Sequence, residues 1–76
     1  MYIHFDPETD YLFLDISNCY CRLSTNFYEN IIIHILGNEA VAVEIINFST
    51  FSRKDLKSQL PKNLFKIIDK IFLTKK

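Results

Sequence analysis

The stretch over residues 31–46 constrains this chain more than any other: Ile-Ile-Ile-His-Ile-Leu, then Gly37-Asn38, then Glu-Ala-Val-Ala-Val-Glu-Ile-Ile. Two β-rich runs flank two residues, and glycine at the first of them suits a type II′ turn, whose twist matches that of paired strands. The pattern predicts a β-hairpin. A regular ladder then sets Leu36 against Glu39, Ile35 against Ala40, His34 against Val41, Ile33 against Ala42 and Ile32 against Val43. Alternation places Ile32, His34, Leu36, Val41, Val43 and Ile45 on one face, and Ile31, Ile33, Ile35, Ala40, Ala42 and Glu44 on the other. Both faces are largely apolar. A hairpin with one wet face would show polar residues at alternate positions, so each side of this one requires cover.

A second hairpin is predicted upstream. Residues 2–5 and 11–16 are short, aromatic and β-branched, and Asp6-Pro7-Glu8-Thr9-Asp10 lies between them. Pro7 presets φ for the second position of a turn, and Asp6 can accept from the turn's own N–H groups. Ile3 and Phe5 share a face with Leu12, Leu14 and Ile16. Tyr2, His4, Tyr11, Phe13 and Asp15 share the other, and its three aromatics suit a contact surface. Between the hairpins, strand character at residues 20–23 and turn formers at Ser24, Thr25, Asn26 and Asn30 suggest a third strand, a turn, and entry to the main hairpin through Phe27 and Tyr28.

After Asn47 the period changes. Ser52 with Asp55 three positions later predicts a helix start, and Leu56 and Leu60 share its inner face. Pro61 interrupts, giving one short helix over 53–59 and a second from Pro61 to about Leu73. In the second, Leu64, Ile67, Ile68, Ile71 and Phe72 form an apolar stripe widened by Phe65 and Leu73, with Lys62, Lys66, Asp69 and Lys70 outside it. One such helix covers one sheet face. The other face still lacks cover, which points to a partner.

The 76 residues allow one domain, 1–49 as a β-meander and 50–76 as a basic helical tail. Formal charge is zero but segregated. Through Thr50 seven acids face Arg22 alone, a balance of −6; from Phe51 onward eight bases face Asp55 and Asp69, a balance of +6. Either the basic tail lies on the acidic sheet of this or a second copy, or it is an arm for an acidic partner, nucleic acid or membrane. No apolar run reaches the roughly 18 residues of a membrane span, and no leader precedes a cleavage site, so the expected compartment is the cytoplasm.

The run Phe5-Asp6-Pro7-Glu8-Thr9-Asp10-Tyr11-Leu12-Phe13-Leu14-Asp15-Ile16-Ser17, with Ile31-Ile32-Ile33 and Ala42-Val43-Glu44-Ile45-Ile46-Asn47-Phe48-Ser49, resembles the family catalogued as domain of unknown function 2283. The resemblance spans roughly residues 2–49. It implies a small α+β protein of bacterial type without an established activity, some of whose relatives are similar to the antitoxin halves of toxin–antitoxin pairs. It carries no catalytic residues.

Few patterns bear chemistry. Cys19 and Cys21 would point the same way from a strand, and His4 and His34 could complete a zinc set, but structural zinc pairs are normally spaced by two to four residues. Reduced thiols are the simpler reading. Asp6, Glu8, Asp10 and Asp15 could hold a cation or act as acid and base; carboxylates bracketing a proline turn more often bond backbone N–H groups. Gly37 is the only glycine, which excludes a glycine-rich phosphate loop. Phe65 and Phe72 lie on the apolar stripe rather than among the lysines, so base stacking is not indicated.

The sequence therefore predicts an α+β fold, an antiparallel meander of four or five strands with the helical segment on one face. It predicts no cofactor and no catalysis. The leading function is protein interaction, antitoxin-like, as a homodimer or with a partner such as a toxin, through Tyr2, Tyr11, Phe13, Ile31, Ile33, Ile35, Lys62, Lys66 and Lys70. The alternatives are a metal or ligand site built on the acids with His4 and His34, and nucleic-acid binding through Lys62, Lys66 and Lys70.

Overall fold

The computed structural model describes residues 1–17 and 24–73, residues 24–28 by their backbone alone. Five strands, β1 (Tyr2–Asp6), β2 (Tyr11–Asp15), β3 (Ser24–Tyr28), β4 (Ile31–Leu36) and β5 (Glu39–Ile46), form one antiparallel sheet in the order β1-β2-β5-β4-β3. A 3-10 turn (Phe48–Thr50) leads into α1 (Arg53–Gln59) and α2 (Lys62–Ile68), which runs on as a π turn (Asp69–Leu73). The chain is thus an α+β fold, with the helical segment following the meander.

Turn chemistry explains the hairpins. Asp6 Oδ1 accepts from the Glu8 N–H at 3.0 Å, and Asp10 closes the turn in the left-handed region at φ 58°. Asp10 also reaches across to the far end of β5. Its carboxylate accepts from the Ser49 N–H at 3.0 Å and the Ser49 hydroxyl at 2.6 Å, and its carbonyl accepts from the Phe48 N–H at 2.9 Å. At the other hairpin Gly37 has φ +65° while Asn38 has no positive φ, the signature of a II′ rather than a I′ turn.

The register of that hairpin departs from the regular ladder. Leu36 faces Glu39 and Ile35 faces Ala40, but His34 faces Ala42, Ile33 faces Val43 and Ile32 faces Glu44, leaving Val41 without a partner. Val41 is a β-bulge, one extra residue that reverses which side chains of β5 face inward. The physical reason lies two positions on. In the regular register Glu44 would join Ile31 and Ile33 on the side buried by the helices, at the desolvation cost of an enclosed carboxylate. The bulge turns Glu44 outward and brings Val43 and Ile45, both 0% exposed, into the core.

The third strand also differs. It occupies Ser24–Tyr28, so Ser24, Thr25 and Asn26 are strand rather than turn, and the reversal falls at Glu29-Asn30. The two-residue reversal lets Tyr28 pair with Ile31 and the whole of β3 pair along β4. The strand expected at residues 20–23 lies outside the described residues.

The core sits on one side of the sheet. Leu12, Leu14, Ile31, Ile33, Val43 and Ile45 pack against Leu56 of α1, Leu60 just after it, and Leu64, Phe65 and Ile68 of α2. Ser52 caps α1: its hydroxyl accepts from the Asp55 N–H at 3.0 Å, while the Asp55 carboxylate accepts from the Ser52 N–H at 3.2 Å. Pro61 opens α2, and its carbonyl accepts from the Leu64 and Phe65 N–H groups. The Asn63 side chain donates to the Ala40 carbonyl at 3.1 Å, tying the start of α2 to the strand beside the bulge. The rings of Phe5, Phe48 and Phe72 meet pairwise at 5.8–5.9 Å and close one end of the core.

Within the apolar stripe expected for the second helix, Ile71 is the exception. A π turn closes on the fifth residue rather than the fourth, which shifts the face presented by the residues after Ile68. Phe72 and Leu73 pack against the core, whereas Ile71 is left 50% exposed.

Candidate interaction face of the sheet

The helices cover one face of the sheet, and no described element lies over the other. Alternation along β1 and β2 places Tyr2, His4, Tyr11, Phe13 and Asp15 there, and the bulge adds Ala42 and Glu44 from β5 beside Ile32, His34 and Leu36 from β4. Tyr2 and His4 are exposed, while Tyr11, Phe13, Ile32 and Leu36 are partly buried. Tyr2 and Phe13 stack in a tilted pair with centroids 5.8 Å apart.

Glu44 stands at the centre. Its Oε1 accepts from the Tyr11 hydroxyl at 2.6 Å, and its Oε2 lies 2.7 Å from His34 Nε2, which donates to the ionised carboxylate. Three strands contribute to this cluster, and none of the three residues neighbours another in sequence. Burial, reinforced by the hydrogen bond to Glu44 and its negative charge, pushes the Tyr11 phenol up to about 12. With a donor on each oxygen, the carboxylate can sit among Phe13 and Ile32, its cross-strand neighbours, without being an orphaned charge.

Three acids of the first hairpin, Asp6, Asp10 and Asp15, accept from nearby N–H groups. Asp6 and Asp10 make the turn contacts described above, and Asp15 Oδ1 accepts from both the N–H and the hydroxyl of Ser17, at 2.8 and 2.9 Å. No group of three or more potential metal ligands gathers among the described residues. His4 and His34 sit on β1 and β4, separated by β2 and β5. Three strand spacings of about 4.8 Å hold their backbones too far apart for both rings, standing off the sheet, to share a zinc with bonds of about 2 Å. Cys19 and Cys21 lie outside the described residues.

The other expected contact residues divide. Tyr2, Tyr11 and Phe13 are on the open face. Ile31 and Ile33 are not available for contact: at 0% and 5% exposure they lie beneath α1 and α2, and Ile35 packs against the same core. The helices cover that side, where the inward residues of β1, β2, β4 and β5 are apolar once the bulge has removed Glu44. Lys62, Lys66 and Lys70 lie on the helical side of the molecule and are exposed. Among the described residues, the only Lys or Arg salt bridge is Arg53 to Asp69, within the helical segment, through Nε at 2.7 Å and Nη2 at 3.0 Å. Hydrogen bonding by Arg53 holds the Asp69 carboxyl below its usual range.

What sequence reasoning missed is the meeting of Glu44 with His34 and Tyr11. The one available signal was the cost of placing Glu44 on a face otherwise made of isoleucine and alanine. Among the described residues, no helix is long and apolar enough to cross a membrane. Comparison with protein-family models, curated proteins and solved structures gives no match to this chain.

Proposed function

We propose that the chain is a non-enzymatic protein-interaction module of the cytoplasm that pairs with a second copy of itself through the open face of its sheet. The observation that carries this reading is the composition of that face. Phe13 and Ile32 flank a carboxylate whose two oxygens already have donors within the chain, and Tyr2 and Leu36 extend the same face. A second sheet can pack over this part of the surface at about 10 Å with the Glu44 charge already paired. The resemblance of residues 2–49 to the 2283 family adds a protein such as a toxin as the further partner of an antitoxin-like dimer.

Sedimentation equilibrium over about 1–100 μM tests the pairing. The expected result is a dimer that becomes a monomer on Phe13→Asp, since the new charge falls in the middle of the contact. A compact monomer of the unmodified chain throughout that range refutes the proposal.

A further inference from the structure

The π turn exposes an aliphatic side chain that an unbroken helix would bury. Ile71 follows Leu64 by seven residues, a spacing that keeps both on one stripe of a regular α-helix, yet Leu64 is 0% and Ile71 50% exposed. Ile71 stands with Ile67 and Met1 in a shallow depression edged by Lys66 and Lys70. Across Lys66 a second groove runs between α1 and α2, with Phe65 in its floor and Arg53, Lys57 and Lys62 along its rim.

A single carboxylate stands among the cationic groups of this surface. Asp69, the one carboxylate lining either depression, is engaged by Arg53, whose guanidinium also lies 5.5 Å over the Phe65 ring. None of Lys57, Lys62, Lys66 and Lys70 makes a hydrogen bond or salt bridge to a described residue. Lys66 and Lys70 thus adjoin Ile67 and Ile71 along the end of α2 and the π turn that follows it, so a basic edge runs beside an apolar one.

We infer that this surface docks an acidic amphipathic helix of a protein partner, an aliphatic row of which lies along Ile67 and Ile71 while an adjoining glutamate row meets the lysines. The aliphatic depression gives a phosphate backbone nothing to bind, and Phe65, 8% exposed beneath Arg53, is closed to base stacking. Two isoleucines and a methionine are also a small apolar area for holding a helix in a lipid interface. The surface belongs to the helical side of the chain, so it stands or falls separately from the sheet-face pairing.

The probe is a synthetic labelled helix of about 18 residues with leucines at four-residue spacing beside a row of glutamates, titrated with the full chain in fluorescence anisotropy. Expected is binding about tenfold tighter than that of a scrambled peptide of the same composition, and about a tenfold loss on Lys66→Glu with Lys70→Glu. A probe with lysines in place of its glutamates should recover binding to that reversed variant. Ile71→Gln, at an exposed position, should weaken binding while leaving the unfolding transition in place. Equal binding of the scrambled peptide, no binding of the designed one, or tighter binding of a DNA duplex or of phosphatidylserine vesicles overturns the inference.

Discussion

Deleting Val41 should leave this protein folded, although removing one residue from the middle of a strand ordinarily turns every later side chain to the wrong face. The expectation follows from the bulge: with Ile35 on Ala40 and His34 on Ala42, Val41 is surplus to the ladder, and its loss joins two stretches already in register. The cost can be worked from the contacts. Val41 is 7% exposed, so its burial is worth about 1.5–3 kcal/mol, and its carbonyl accepts from the Ile16 N–H at 2.8 Å, about 1 kcal/mol more. Regular pairing across the former bulge returns part of this. A net loss of about 2–3 kcal/mol falls within the roughly 4–11 kcal/mol available to a domain of this length. Urea unfolding of the deletion variant should therefore keep a cooperative transition at a lower midpoint. Deletion of Phe13 is the control. Strand β2 pairs on both sides without a bulge, so that change moves the two leucines 0% exposed on either side of it out of phase, and the transition should vanish. If the Val41 deletion also abolishes the transition, or if the two deletions are equally damaging, the reasoning about the bulge is wrong.

The staple at Asp10 should separate into two parts: Asp10→Ala loses about 2 kcal/mol in urea unfolding, from the Ser49 contacts and from alanine at φ 58°, whereas Asp10→Gly loses only about 1 kcal/mol. Equal losses would show that the backbone conformation contributes nothing. An ultraviolet titration should show a phenol ionising near 12 that disappears in Tyr11→Phe, and Glu44→Gln should lower that value. Because the folded value lies above the ordinary 10, the native state holds the phenolic proton more tightly. The associated stability is intact below about pH 10, is lost as pH rises through about 12, and should be missing from Tyr11→Phe. If Tyr11→Phe removes no ionisation above the ordinary 10, the Glu44 contact is not made in solution.

What could be read directly from the chain was local. The Gly37-Asn38 turn, the Asp6-Pro7 turn, the inward and outward sets of the first hairpin, the Ser52 cap and the break at Pro61 each depend on residues within a few positions of one another, where φ preferences and periodicity act without help. Position 41 could not be settled that way. Val41, Val43 and Ile45 are apolar on one alternation and Ala40, Ala42 and Glu44 mostly so on the other, and the pattern is satisfied by either register. Only the assembled sheet, with helices over Ile31 and Ile33, made an inward Glu44 intolerable and forced the extra residue into a bulge. From that one choice follow the burial of Val43 and Ile45 and the meeting of Glu44 with Tyr11 and His34. The exposure of Ile71 is a second such decision, since helical periodicity alone would bury it and the π turn does not. Local torsional preference chose the elements, whereas competition between burying hydrocarbon and stranding charge, resolved across distant strands, chose the faces they show.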